Sequence, residues 1–278
     1  MLPQTRLGKT DIEISRLGLG TVKLGRNQSV KYPHAFDLPD DATARKLLNC
    51  ARDLGINLLD TAPAYGQSEE RLGYLLRGER KNWVICTKAG EEFNQDYDGE
   101  GASNFDFEPD SLRLSIERSL RRLRTDYLDI VLVHSDGNDS HLIHHHQVFH
   151  TLAKLKQEGW IRAFGMSVKT LEGGLICAKE ADVVMATFDL EKDDDRRLME
   201  TCNTHTTGVL LKKIFNSGHL LKPETGSKSV NAIIEQQMKV IFAQNAVNSA
   251  IIGTLNSQHL RDNVQCALFG LVENSKLA

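Results

Sequence analysis

The sequence predicts an α/β protein whose chain closes into a (β/α)8 barrel, with an N-terminal β-hairpin closing the barrel floor. Three observations predict it. Eight short apolar or β-branched runs recur along the 278 residues. Longer amphipathic stretches separate them. No Pro-rich linker or low-complexity stretch interrupts the alternation. Near-continuous apolar runs suit parallel strands buried on both faces. Eight strand–helix alternations fit a closed barrel better than a doubly wound open sheet.

In chain order, TRLGKTDIEISRLG reads as a hairpin with Gly8-Lys9 near its turn. Strand runs follow at 16–22, 56–62, 83–88, 128–134, 161–167, 182–188, 207–213 and 247–253. DATARKLLNCARDLG sets Ala44, Leu47, Leu48 and Ala51 at helical spacing and stops on Gly55. EPDSLRLSIERSLRRL sets Leu112, Ile116, Leu120 and Leu123 on one face. SVNAIIEQQMKVIFAQN and NSQHLRDNVQCALFG fill the seventh and eighth helix positions. The rhythm shows no boundary, so residues 1–278 read as a single domain. Barrels of this kind stay undivided at about 250 residues.

Composition excludes several classes of function. Lys plus Arg number 34 and Asp plus Glu 37, a net charge of −3, which is no electrostatic footprint for nucleic acid. No apolar run approaches the roughly 18 residues of a membrane span, and the N-terminus lacks an apolar signal core. Cys50, Cys86, Cys177, Cys202 and Cys266 are dispersed, with no CxxC pair. That usage fits a reducing cytoplasm.

In such barrels the chemistry sits where strand C-termini meet the following loops. The second strand ends in Asp60, with Tyr65 in the next loop; the third ends in Lys88 and the fourth in His134. A buried Lys88 needs a partner, and Asp60 supplies one. A nearby ammonium favours tyrosinate, so the Tyr65 pKa is expected to fall and the phenol to serve as a proton donor near neutrality. A neutral His134 would hold a carbonyl oxygen by one hydrogen bond. The set can polarise and protonate a carbonyl oxygen, and it offers no nucleophile for hydrolysis. Singly, each residue also fits a structural role, as a cap, a rim aromatic or a strand-end group. Their convergence on neighbouring strands favours chemistry.

The stretches GINLLDTAPAYGQSEERLG, SLRRLRTDYLDIVLVH and IIGTLNSQHLRDN, in that order, resemble the signatures of the aldo-keto reductases. The resemblance runs from RLGKTDIEISRLGLGT to Asn263. It implies a TIM barrel and reduction of a small aldehyde or ketone by a nicotinamide cofactor, usually NADPH, with NADH possible. It also implies roles: Tyr65 as general acid, Lys88 and Asp60 tuning it, His134 orienting the carbonyl. The expected partner is a small-molecule carbonyl substrate. Oligomeric state stays open, with a monomer preferred.

No GxGxxG follows a strand, since Gly18-Leu19-Gly20 continues as Thr21-Val22-Lys23. The resemblance instead implies a dinucleotide extended across the barrel mouth. Gly20, Thr21 and Asp60 would lie at its nicotinamide ribose, and Phe188 would stack on the ring. Lys212 and Lys213, with the loop Phe215 to Gly218, would cover the pyrophosphate. Gly253, Thr254, Ser257, His259 and Asn263 would form the adenosine end. Thr254 begins a turn into the last helix, where outward amides suit an anion. Three positions depart from the family pattern. The carboxamide contacts expected after the fifth strand and in the sixth read Ser167, Val168 and Met185, so two polar partners are missing. Each neutral hydrogen bond lost costs roughly 0.5–1.5 kcal/mol. His259 stands where an Arg often grips the 2′-phosphate, and a neutral imidazole lacks that fork. Arg261 lies about 200° around the helix from it.

The loop after Lys88, EEFNQDYDGEGASNFDFEPD, carries no Lys or Arg. It reads as a lid, and as a possible selector against carboxylate substrates. Tyr32 and Phe36 would lend apolar surface to a second wall at 26–41. Little chain follows the eighth helix, so a comparatively open site is expected. His141 with His145, and His146 with His150, are i,i+4 pairs able to chelate a metal. Surface histidines are the reading preferred, and no metal is expected. Two rivals remain: a nicotinamide-nucleotide-binding sensor or regulatory barrel with little turnover, and a metal-dependent barrel hydrolase.

Overall fold

The structure is a computed structural model that describes residues 1–94, 101–189, 191–221 and 229–275. Strands β1 (Gln4–Arg6) and β2 (Glu13–Ser15) pair antiparallel. Eight parallel strands then close a barrel: β3 (Leu17–Gly20), β4 (Leu58–Asp60), β5 (Val84–Ala89), β8 (Leu128–His134), β9 (Ile161–Ser167), β10 (Val183–Ala186), β11 (Gly208–Leu211) and β12 (Val247–Ile252). Strand β12 pairs back onto β3, from Ala250–Leu17 to Ile252–Leu19. Between β5 and β8 lies a further antiparallel pair, β6 (Glu91–Asn94) and β7 (Ala102–Phe105). The chain expected to form a loose lid is therefore in part a hairpin. Its residues 95–100 lie outside those described.

The helices are α1 (Val22–Gly25), α2 (Asp41–Asp53), α3 (Ser68–Leu75), α4 (Pro109–Leu123), α5 (Asp139–His144), α6 (Val148–Gln157), α7 (Leu171–Glu180), α8 (Asp193–Thr204), α9 (Val230–Phe242) and α10 (Ser257–Ser275). Local chemistry sets their ends. Asp40 accepts from the Thr43 amide at 2.7 Å and caps α2. Gly55, at φ 90°, follows that helix in a conformation a side chain would strain. Leu112, Ile116 and Leu123 of α4 are buried as their spacing requires, and Leu120 packs at the edge of the same cluster. No helix among the described residues is long and apolar enough to cross a membrane. All five cysteines are free and buried.

Strand side chains alternate between two faces, and the barrel sorts them into two cores. Outward-facing Leu19, Leu59, Ile85, Val131, Val133, Met166, Val184 and Leu211 pack with the helices. Inward-facing Leu58, Val84, Cys86, Ile130, Leu132, Ala163, Val183, Met185, Leu210 and Ile251 form a second cluster. Leu7, Ile12 and Ile14 of the hairpin join that inner cluster. The hairpin thus closes the floor as expected, and Asn248 Nδ2 ties it down by donating to the Arg6 carbonyl at 2.9 Å. Beneath the strands, Asp129 is buried between Arg80 and Arg162, each at 2.8 Å.

Gly165 of β9 sits opposite Val183. A Cβ there would lie 1.7 Å from the Val183 carbonyl oxygen. Gly165→Ala is expected to cost at least the roughly 1–3 kcal/mol of an overpacked core. The urea midpoint should fall with an unchanged slope; an unaltered midpoint would contradict the strand spacing described.

Candidate active site at the barrel mouth

The polar tier of the mouth continues the inward rows by two residues each. Leu58 leads to Asp60, Cys86 to Lys88, Leu132 to His134, and Leu210 to Lys212. The register is staggered: Asp60 faces Cys86, Lys88 faces Leu132, and His134 faces Ser167. Each group thus lies two residues beyond the partner of the one before. A two-residue step keeps the inward face, and strand tilt brings the staggered ends to one level.

Tyr65 arrives by a different route. A 3-10 turn, Pro63–Tyr65, follows β4, with the proline at its start. Gly66 leaves it at φ 60°. Gly25 packs beneath, where a Cβ would meet the Tyr65 carbonyl oxygen at 2.4 Å. Only glycine allows that approach, which fixes the tyrosine backbone.

Asp60 is 4% exposed and Lys88 1%. Lys88 Nζ donates to Asp60 Oδ1 at 2.6 Å, to the Thr61 carbonyl at 2.8 Å and to Tyr65 Oη at 3.2 Å. These use all three ammonium hydrogens. Burial lowers the Lys88 pKa, but the Asp60 carboxylate more than offsets it, so the amine stays protonated. Tyr65 Oη donates to Asp60 Oδ2 at 3.3 Å, long for such a bond. Its proton is weakly committed. The expected fall in the Tyr65 pKa is not what the geometry gives. Burial and the Asp60 carboxylate raise it, and Lys88 only partly offsets them. Near neutrality the phenol keeps its proton.

His134 stands edge-on to Tyr65, ring centroids 6.4 Å apart. Burial pushes its pKa down further than Glu91 pulls it up, which keeps the imidazole neutral. Glu91 is a site residue that sequence reasoning misread as a lid charge. Its Oε2 lies 2.7 Å from His134 Nδ1, close but out of line for a hydrogen bond, since Nδ1 has no aligned partner. Burial would raise the Glu91 pKa, but His134, Ser103 and Arg26 bring it down to about 2. Glu92 turns to Arg118 and Arg122 at 2.8 and 3.3 Å. Neither acid is a free lid charge. The β6–β7 hairpin brings Glu91 to His134, and no motif marks it.

Two walls flank the mouth and meet. The Arg26 guanidinium lies 3.6 Å from the centre of the Phe93 ring, and Ser29 Oγ donates to the Gly101 carbonyl at 3.4 Å. Tyr32 and Phe36 pack edge-on at 5.5 Å, with Lys23 Nζ 4.2 and 5.1 Å from their centroids. These contacts tie the two walls to each other.

The other expected site residues divide. Gly20 and Gly253 stand close together, where a Gly253 Cβ would touch Tyr32 Oη at 3.5 Å and the Gly20 carbonyl at 3.9 Å. Ser167 is buried and accepts from Lys212 Nζ at 2.7 Å. Lys213, Asn216, Ser217 and Gly218 all have positive φ, which gives the loop past Phe215 an unusual backbone. Thr21 is spent on structure: its hydroxyl donates to the Asp60 carbonyl at 2.9 Å and accepts from Ser68 at 2.8 Å. Met185 lies in the inner apolar cluster, below the polar tier. Val168, Phe188 and Phe215 pack on the outer cluster.

At α10, Thr254 Oγ1 accepts from the Asn256 amide at 3.1 Å, and Ser257 begins the helix. Asn256 Oδ1 accepts from the Gln258 amide at 2.8 Å and the His259 amide at 3.4 Å. Two of the amides expected to serve an anion are therefore capped. Asn263 Nδ2 donates to the His259 carbonyl at 2.6 Å, while its buried Oδ1 has no partner. Arg261 turns to Cys50 of α2, 2.7 Å from its sulfur. His141 and His145 stack at 4.5 Å on the helix side. His146 and His150 share no helix, because α5 ends at His144 and α6 begins at Val148.

The model of the Aldo/keto reductase family matches residues 16–275. The solved structure of PA4992 from Pseudomonas aeruginosa superposes with a TM-score of 0.84 at 45% identity, covering 96% of this chain and 95% of that one. The uncharacterized oxidoreductase YqkF of Bacillus subtilis is 26% identical over 94% of this chain and 90% of its own length. The NADH-specific methylglyoxal reductase of Escherichia coli is 34% identical over 77% of this chain and 68% of its own.

The buried pair makes a stability prediction. Lys88→Met strands the Asp60 charge and should cost about 3–5 kcal/mol at pH 7, read by urea unfolding. The double variant Lys88→Met/Asp60→Leu should recover most of it. Because the folded Lys88 pKa is raised, its contribution is complete below the ordinary value of 10.5 and is lost as pH rises past it. Equal losses in the single and double variants would sink the pairing.

Proposed function

The chain belongs to the aldo/keto reductase family, and on that premise we propose that it reduces small aldehydes or ketones to alcohols with Tyr65 as proton donor. It is an NAD(P)H-dependent oxidoreductase. The observation that carries the proposal is the Tyr65 hydroxyl, held 3.2 Å from a fully charged Lys88 and only loosely committed to Asp60.

The residues present fit a nicotinamide dinucleotide. Gly253 is exposed and carries no side chain, so a ligand can approach its backbone. Lys213, joined by Lys212 when that amine is protonated, supplies positive charge beside a loop of positive-φ residues, and the orphaned Asn263 Oδ1 is a buried acceptor at the far end. When bound, the reduced cofactor supplies a hydride to the carbonyl carbon. Tyr65 gives its proton to the carbonyl oxygen. Lys88, already donating to Tyr65 Oη, stabilises the phenolate left behind. That aid matters because burial and Asp60 otherwise make the phenol reluctant to ionise. His134 aligns the carbonyl oxygen, with the Glu91 carboxylate packed 2.7 Å from its Nδ1. We take NADPH as the cofactor, with NADH as the alternative, because His259 offers no bidentate grip on a 2′-phosphate.

Fluorescence titration with NADPH and with NADH, followed by a panel of small aldehydes, tests the reading. Cofactor oxidation supports it. Binding without turnover of any carbonyl favours the sensor alternative. Tyr65→Phe should lower kcat by about 100- to 10,000-fold with cofactor affinity nearly unchanged. A variant that keeps most of its rate removes Tyr65 from the role. Glu91→Gln should lower kcat/KM for the aldehyde about tenfold, roughly 1.4 kcal/mol. Its cofactor Kd should not move; an unchanged kcat/KM would leave Glu91 structural only.

A further inference from the structure

A second lysine on the same inward tier has a different chemistry. Lys212 lies two residues past Leu210, which faces Met185, which in turn faces Ser167. Ser167 faces His134. Lys212 thus belongs to the ring of groups that includes His134, on the strand that stands across the closed barrel from that of Lys88.

Its amine is built differently from that of Lys88. Lys212 Nζ donates to Ser167 Oγ at 2.7 Å and to the Val168 carbonyl at 3.1 Å. Among the described residues no other partner of Nζ is found, and no carboxylate pairs with it. Asp139 is the one acid that acts on it, and that carboxylate is already taken. Asp139 accepts from the Lys169 amide at 2.8 Å, the Thr170 amide at 2.7 Å, the Thr170 hydroxyl at 2.9 Å and the Ser135 hydroxyl. Two acceptors satisfy the two N–H bonds of a neutral amine and leave its lone pair free. An ammonium ion would have a third hydrogen to place. Burial first, then Lys213, Lys88 and Lys169, lower the pKa to about 7. Desolvation and neighbouring cations are the two known ways to make a lysine nucleophilic.

We propose that Lys212 is a nucleophilic lysine that condenses reversibly with aldehydes entering the barrel mouth. The proposal rests on the mouth admitting carbonyl compounds, as the reductase reading requires. The amine lone pair attacks the carbonyl carbon and the C–N bond forms. The carbonyl π pair moves to oxygen, which takes up a proton, and nitrogen loses one. The carbinolamine then expels water to give an imine. No oxidant or reductant is consumed, and hydrolysis restores both partners. The adduct occupies the mouth, so a high aldehyde concentration would slow turnover through this covalent brake.

The test treats the full-length protein with benzaldehyde and sodium cyanoborohydride, without cofactor, and locates the trapped benzyl group by peptide mass mapping. Lys212 should label at least tenfold faster than Lys213 or the exposed lysines. The rate should fall about fivefold from pH 7 to pH 6, the change in free-amine fraction for a group titrating near neutrality. Lys212→Met should lose the site, with circular dichroism confirming its fold. In parallel, wild-type protein is assayed for benzaldehyde-dependent NADPH oxidation. Reduction without Lys212 labelling overturns the inference and leaves the reductase reading standing. Labelling without reduction does the reverse. Label spread evenly over surface lysines, or undiminished in Lys212→Met, also overturns the inference.

Discussion

The constraint on which the rest depends is the alternation of side chains along tilted strands closed into a ring. A strand residue points inward or outward by parity alone. Once the lower rungs are filled with apolar side chains, the next inward position on every strand faces the mouth. Asp60, Lys88, His134 and Lys212 all occupy that position. The stagger, two residues at each step from Asp60 to Lys88 to His134 and two in all from His134 round to Lys212, offsets the strand tilt, so groups far apart in sequence stand at one height. The apolar plug beneath them excludes water from below, which strengthens every charge interaction above it.

That low-dielectric setting gives two lysines opposite states. Lys88 is the more deeply buried, yet it stays charged because Asp60 and the Thr61 carbonyl accept from it. Lys212 has no acid of its own and surrenders its proton more readily. The difference lies in hydrogen-bond partners rather than in burial. The same logic governs Tyr65. A cation beside a phenol does not lower its pKa when a carboxylate and an apolar shell stand equally close.

Much of this was legible in the sequence. Seven of the eight strand runs contain the strands found, with 128–134 and 161–167 matching residue for residue; the third, 83–88, stops one residue short of Ala89. Apolar strands buried on both faces leave a signal that length and turn residues bound clearly. Asp60, Tyr65, Lys88 and His134 were legible because each closes or follows an apolar run. Glu91 was not, because its meaning depends on a hairpin folding back over His134 across a distance the sequence does not state. Thr21 and Phe188, which the family resemblance places at the cofactor, also make structural contacts that the sequence does not state: the Thr21 hydroxyl donates to the Asp60 carbonyl, and the Phe188 ring packs against the outer apolar cluster. The sign of the Tyr65 shift was missed because sequence names neighbours without weighing their distances.

The floor hairpin also bears on how the chain reaches its native state. Its apolar residues pack among strands from the whole barrel, and Arg6 is held by Asn248, 242 positions later. The hairpin precedes the barrel strands in the chain, yet it is among the last segments to find its place. Until β12 docks on β3, Leu7, Ile12 and Ile14 have no complete cavity to fill. Contacts of such long sequence separation slow folding, since much loop entropy is lost before they form. Until the ring closes, the three apolar side chains of the hairpin stay open to water.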